Sequence, residues 1–285
     1  MDPTARIETA LNRAFLRTLP GGPPLLAGAM RHAIFPGGAR VRPRLCLAVA
    51  AACGDDAPDA TDAVAAAIEM LHCASLVHDD LPCFDDAATR RGKPSVHAAF
   101  GSPIAVLAGD ALIVLAFQAI AWGALATPAR LGALVLTLGQ AVGMPSGICA
   151  GQAWESEPNP DITAYQRAKT GALFAAATMA GAAAAGADPL PWRHLGEYLG
   201  LAYQVADDLL DAAATEADKP VGQDARLGRP NVVQTYGING ALDLLNSLAH
   251  DAAAAIPDCP GATPLRALIT QEASRLVPKN LARVA

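Results

Sequence analysis

Four aspartates and two arginines crowd the stretch from His72 to Ser95, HCASLVHDDLPCFDDAATRRGKPS: Asp79, Asp80, Asp85 and Asp86, then Arg90 and Arg91. Like charges this close repel, and two carboxylates about 4 Å apart cost roughly 4 kcal/mol at an effective dielectric near 20. Something cationic must balance them. Hard carboxylate oxygens with no cysteine or histidine cage suit magnesium, which takes one or two protein carboxylates and completes its shell with water and substrate phosphate. The adjacent arginine pair suits a polyanion. A second acidic cluster, YQVADDLLD at Tyr203 to Asp211, puts Asp207 and Asp211 one helical turn apart on one face, with Asp208 to the side and Gln204 one turn before. Three acids in a segment otherwise built of Leu, Val and Ala would cost stability in a dry core. Two such clusters therefore imply one shared, water-filled, cation-bridged cavity.

Other residues have chemistry to offer. In GGARVRPRLCLAVAAACG, Arg40, Arg42 and Arg44 are predicted in the first turns of a helix opened by two glycines, where backbone N–H groups and guanidinium groups can hold a phosphate. His72 precedes Asp79 by seven residues and shares its helix face two turns away. Pro82 ends that helix and lets Asp85 fold back towards Asp79. Lys169, followed by Thr170, is a cation set in an otherwise apolar helix, whereas Asp110 in another reads as a structural hydrogen-bonding residue. The segment ATEADKPVGQDARLGRPNVV, rich in Gly, Pro and charge, is predicted to be a mobile loop with Lys219, Asp224 and Arg229 able to close over a ligand.

The elements that must position these groups are helices. Apolar periodicity predicts helices over 3–19, 25–34, 63–80, 104–127, 129–143, 162–187 and 192–213, with Ala/Leu helix from residue 232 onward and polar linker at 55–62. No convincing alternating strand is found, no internal repeat, and no linker long enough to split the chain, so the expectation is one all-helical domain over residues 1–285. A composition 52% hydrophobic and 17% charged can bury a large core, and its alanine richness with only 5% aromatics favours closely packed helices. A net charge of −6 without a basic stripe argues against a nucleic-acid surface. The six cysteines show neither C-x-x-C nor zinc spacing and read as reduced small hydrophobes, which fits the cytoplasm. The N-terminus lacks the apolar centre of a secretory signal. The apolar stretches 111–127 and 172–187 fall short of the roughly 20 strongly apolar residues of a membrane span and read as core helices.

The motifs DDLPCFD and DDLLD, with GGARVR, RRGKPS, KTG, the YQ before the second cluster and DKPVGQD, resemble those of the trans-isoprenyl diphosphate synthase family over about Phe35 to Val232. The stretches HCASLVHDDLPCFDDA and GICAGQAWESE further resemble the geranylgeranyl diphosphate synthases of carotenoid-making purple bacteria. The resemblance implies an all-α isoprenoid-synthase bundle around a central deep cavity, commonly dimeric. It also implies head-to-tail condensation of isopentenyl diphosphate with an allylic diphosphate. Asp79, Asp80, Asp85, Asp207, Asp208 and Asp211 would surround three magnesium ions. The allylic diphosphate would lie on Arg90, Lys169, Thr170, Gln204, Lys219 and Arg229, and isopentenyl diphosphate on Gly38, Arg42, His72 and Arg91.

Two departures from the family pattern stand out. Ala39 occupies the place of a lysine that binds isopentenyl diphosphate, which removes a charge-assisted contact worth about 1.5–3 kcal/mol unless Arg40 turns inward. Ala87 and Ala88 stand where further acids are common. Chain length in the family is set by bulk beneath the first motif. The fifth residue before Asp79 is Ala74, followed by Ser75, where fifteen-carbon enzymes tend to carry an aromatic ring. Small side chains there predict a twenty-carbon product, with farnesyl or longer-chain synthases as alternatives. A terpene cyclase sharing the fold would usually carry an Asn/Ser/Glu second motif, against the DDLLD found here. A non-catalytic partner subunit of a heteromeric synthase is favoured by Ala39 alone.

Overall fold

The computed structural model describes residues 2–35, 38–159, 161–213 and 231–276. In chain order these form α1 (Pro3–Leu16), α2 (Pro24–Ile34), α3 (Val41–Cys53), α4 (Pro58–Asp79), a hairpin of β1 (Thr89–Arg90) and β2 (Lys93–Pro94), α5 (Val96–Phe100), α6 (Ser102–Gly123) and α7 (Pro128–Val142). Then follow α8 (Ile148–Trp154), α9 (Ile162–Gln166), a π-helical turn (Arg167–Gly171), α10 (Ala172–Ala184), α11 (Arg193–Ala213), α12 (Val232–Ala254) and α13 (Ala262–Ser274). The all-α expectation holds, and the hairpin is its one exception among the described residues. Strands of two residues are too short for alternation to show in a sequence.

The chain divides into two compact units, residues 1–139 with 176–189, and residues 140–175 with 190–285. In the first, α4 is the central element. It begins at Pro58, inside the stretch expected to be linker, because proline suits the first helical turn. The polar residues there are spent on structure: Thr61 Oγ1 donates to Asp55 Oδ1 at 2.6 Å, and Arg6 bridges Asp55 and Asp62. Beyond them α4 buries Val64, Ile68, Met70, Leu71 and Val77, and its broadest packing is against α6. Asp2 caps α1, which buries Ile7, Leu11 and Phe15 on one face and stops at Leu16, three residues before the predicted end.

Among the described residues two helical stretches, α4 and Ser102–Ala126, are long and apolar enough to cross a membrane; the second begins well before the apolar stretch 111–127, which by its own length falls short. Of the apolar window of α4, 78% is buried, which makes it a core helix. The stretch Ser102–Ala126 is only 44% buried and leaves Leu107 and Val114 exposed.

In the second unit, Ala202, Val205 and Leu209 of α11 pack on Ala241, Leu245 and Leu248 of α12. Both sets recur at helical spacing, so each helix presents one apolar stripe to the other. The single helix predicted over 162–187 is instead α9 and α10, joined through the π-helical turn that carries Lys169 and Thr170. Such turns interrupt helices most often where a side chain must be aimed.

Candidate active site

The first acidic cluster is built by the way α4 ends. Asp79 is its last residue and Asp80 its C-cap, two residues ahead of Pro82. The chain then turns tightly: the Asp85 N–H donates to the Asp79 carbonyl at 3.0 Å, and the Ala87 N–H to that of Asp80 at 3.2 Å. Asp85 thus folds back on Asp79, as Pro82 predicts. Asp80 is 2% exposed. Burial raises its pKa, opposed by Arg90, whose Nε lies 2.9 Å from Oδ1 while Nη2 reaches the same oxygen. Burial pulls the other way on Arg90, but Asp80, Asp79 and Asp85 outweigh it and hold the guanidinium charged.

Arg90 is placed by the hairpin, in which it pairs with Lys93 across a two-residue loop. That loop, Arg91 (φ 53) and Gly92 (φ 73), has the positive angles that match the twist of a tight hairpin. The bend carries Arg91 back over Gly38, where an added Cβ would stand 2.7 Å from Arg91 Cζ. Only glycine lets the guanidinium lie so close. Beside them Arg42 Nη1 is 3.5 Å from His72 Nε2. The His72 pKa is driven well below its ordinary value, first by burial and then by Arg42, Arg91, Arg90 and Arg40. A neutral imidazole among guanidinium groups is a nest for a polyanion.

Arg40 is a separate matter. It is the N-cap of α3 at φ 50, not a first-turn residue, and it is 2% exposed. Its guanidinium donates to Glu8 Oε1 at 2.8 Å, Glu69 Oε1 at 2.6 Å and the Ile34 carbonyl at 2.8 Å. The inward turn that would replace the lysine absent at Ala39 is thus not made. A carboxylate buried on α4 needs a buried cation, and Arg40 supplies it.

The second cluster lies in the other unit. There the π-helical turn is packed against α8 and α11. A Cβ on Gly151 would stand 2.5 Å from Lys169 N, and one on Gly200 2.9 Å from Gly171 Cα. Thr170 Oγ1 donates to Gln204 Oε1 at 3.0 Å, and Gln204 Nε2 donates to Asp208 Oδ1 at 3.1 Å. The Val232 N–H reaches the other Asp208 oxygen at 2.8 Å. Asp208 is therefore buried and ties α11 to α12, while Asp207 and Asp211 are exposed. Lys169 Nζ lies 2.6 Å from Glu155 Oε1, which also accepts from the Tyr165 hydroxyl at 2.8 Å.

Residues 23–255 match the polyprenyl synthetase family. The chain belongs to that family. It is 52% identical to the geranylgeranyl diphosphate synthase of Cereibacter sphaeroides over 97% of both chains. Identity to the geranylgeranyl diphosphate synthase of Rhodobacter capsulatus is 51%, over 95% of both. Among solved structures it resembles the FPP/GFPP synthase of Zymomonas mobilis with a TM-score of 0.80 and 33% identity, covering 95% of this chain and 99% of that one.

Against the polyprenyl synthetase pattern, the first unit brings together Gly38, Arg42, His72 and Arg91, and separately Asp79, Asp80, Asp85 and Arg90. The second unit links Thr170, Gln204 and Asp208. Lys219, Asp224 and Arg229 lie outside the described residues. Ala74 is buried on α4, and Ser75 Oγ donates to the His72 carbonyl at 2.8 Å. Glu155 was not singled out in the sequence, although GICAGQAWESE contains it, because 14 residues separate it from the lysine it meets. Among the described residues no three acidic, histidine or cysteine side chains form a ready metal cage. The oxygen-only donors at Asp79 and Asp85 fit an ion that draws much of its shell from water and phosphate.

Proposed function

We propose that this chain is an isoprenyl diphosphate synthase that adds isopentenyl diphosphate to an allylic diphosphate and releases the twenty-carbon geranylgeranyl diphosphate. The observation that carries this reading is the nest of Arg42, Arg91 and neutral His72 over Gly38, close in the chain to the Asp80–Arg90 pair. Two diphosphates need two such places, one cationic and one acidic with metal. The relatives' names and the small side chains at Ala74 and Ser75 support the twenty-carbon product.

In this reading Gly38, Arg42, His72 and Arg91 hold isopentenyl diphosphate. Arg90, Lys169, Thr170, Gln204, Lys219 and Arg229 hold the allylic diphosphate. Asp79, Asp85, Asp207 and Asp211 would hold the magnesium ions, whereas Asp80, paired with Arg90, and Asp208, bonded through both oxygens to Gln204 and Val232, are committed within the protein rather than to metal. Bound magnesium supplies electrostatic stabilisation to a departing diphosphate. Arg90 and Lys169 add hydrogen bonds to the same developing charge. The allylic C–O bond breaks with its electron pair leaving on diphosphate. The isopentenyl double bond, oriented by His72 and the arginines, attacks the allylic carbon. The resulting cation loses a proton to the released diphosphate. Apolar helices keep water from the allylic cation, which it would convert to an alcohol.

Exposed Leu107 and Val114 on α6 and Leu136 on α7 support a homodimer, since such apolar faces commonly mark interfaces. The six free cysteines suit a reducing cytoplasm. The test is incorporation of labelled isopentenyl diphosphate by the purified chain with magnesium and dimethylallyl, geranyl or farnesyl diphosphate, the dephosphorylated products being sized by carbon number. Twenty carbons are expected, with turnover abolished by EDTA. Absence of incorporation with every primer would sink the reading and favour a partner subunit.

A further inference from the structure

A cavity of about 120 Å³ lies beneath the hairpin, between α2, α4 and the start of α5. It uses a different face of α4 from the nest: Cys73, Val77 and Asp80 line it, whereas His72 and Asp79 face elsewhere at about 100° per residue. Three cations border it, Arg90, Arg91 and Lys93, with Asp80 the one acid, already held by Arg90. Arg90 and Lys93 are opposite each other in the hairpin, so their side chains leave on the same side. Arg91 borders both this cavity and Gly38. At the cavity wall Ser95 is 2% exposed, and its buried Oγ has no hydrogen-bond partner among the described residues. An unpartnered buried hydroxyl costs stability.

The chain also lacks a lysine at position 39, and Arg40 is committed to Glu69 and Glu8. We propose that the cavity is an oxyanion subsite for the terminal phosphate of isopentenyl diphosphate, in which Lys93 and Ser95 make the contacts a lysine at position 39 would make. Arg91 is the bridge: one guanidinium serves the nest over Gly38 on one side and the subsite on the other. This inference rests on the function proposed above and adds Lys93 and Ser95 to its binding residues.

The experiment is steady-state kinetics of the full chain at saturating farnesyl diphosphate, with melting curves of the same proteins with and without isopentenyl diphosphate. Lys93→Ala is expected to raise KM for isopentenyl diphosphate about tenfold, the loss of one charge-assisted contact, with the effect on that KM rather than on kcat or the allylic KM. Adding Ala39→Lys to Lys93→Ala recovers most of that loss. Ser95→Ala raises the same KM, shrinks the melting shift given by isopentenyl diphosphate, and does not lower the midpoint of the free protein. Ser95→Ala that lowers that midpoint and leaves KM intact marks a hydroxyl held by ordered water alone and overturns the subsite. So does Lys93→Ala with an unchanged KM, or with both substrates' KM raised alike. A parent chain that transfers no prenyl group sinks the proposed function instead, a result distinct from an active chain with an unmoved KM.

Discussion

Replacing Arg40 by methionine separates a structural arginine from a substrate ligand. Its side chain is 1% exposed and that of Glu69 3%, so Arg40→Met leaves a carboxylate buried without its cation. Breaking a buried pair from one side costs about 3–5 kcal/mol. Unfolding entropy of roughly 2.1 cal/mol/K per residue gives about 0.6 kcal/mol/K for 285 residues. The midpoint should therefore fall by about 5–8 °C. Burial alone would lower the Arg40 pKa, yet Glu8 and Glu69 raise it overall, so the charge is present at any working pH and the loss should not depend on pH. Calorimetry or far-UV circular dichroism measures the midpoint, and KM for isopentenyl diphosphate is taken well below it. The expectation is a large loss of stability with KM little changed. Arg40→Met/Glu69→Leu should recover most of the stability, because apolar side chains of similar volume replace a buried ion pair at little cost. The opposite pattern, an unmoved midpoint with KM raised about tenfold, would mean that Arg40 reaches the substrate and does stand in for the missing lysine.

Two further outcomes are expected. Ala74→Phe puts a ring at a buried position of α4 and should shift the product from twenty carbons towards fifteen, read by chromatography of dephosphorylated products; an unchanged distribution would show that the growing tail does not pass there. Because the folded-state pKa of His72 lies below its ordinary value of 6.5, the unfolded chain takes up a proton there first, so stability falls as pH drops below about 6.5; denaturation midpoints between pH 5 and 8 should show a shallower loss in His72→Asn.

Helices were readable where a single force decided them. The apolar register of α4 and the punctuation at Pro82 place Asp79, Asp80 and Asp85 correctly, because the fold-back needs only a helix end and a few local hydrogen bonds. The turn carrying Lys169 was not readable. Its one-residue bulge is dictated by how closely α8 and α11 approach through Gly151 and Gly200, and apolar periodicity cannot register that. The same holds for Asp208. The spacing of DDLLD sets it to the side of Asp207 and Asp211, but its part as a buried tie comes from Val232, 24 residues on.

The glycine-arginine run at 37–44 shows why residue type alone cannot assign a role. Arg40 and Arg42 are two residues apart, both arginine, both beside a helix start. What divides them is the partner each meets: Glu69 lies 29 residues away, and His72 lies 30 residues from Arg42. On α4 those partners are three positions apart, which sets Glu69 and His72 on adjoining parts of the helix, one dry and one open to a ligand. The left-handed backbone at Arg40 sends its side chain to the dry side and leaves Arg42, the second residue of α3, for the nest. A cation lost at position 39 therefore cannot be regained from Arg40 without abandoning Glu69 in the core. Any compensation has to come from across the nest, where the hairpin carries Arg91 and Lys93.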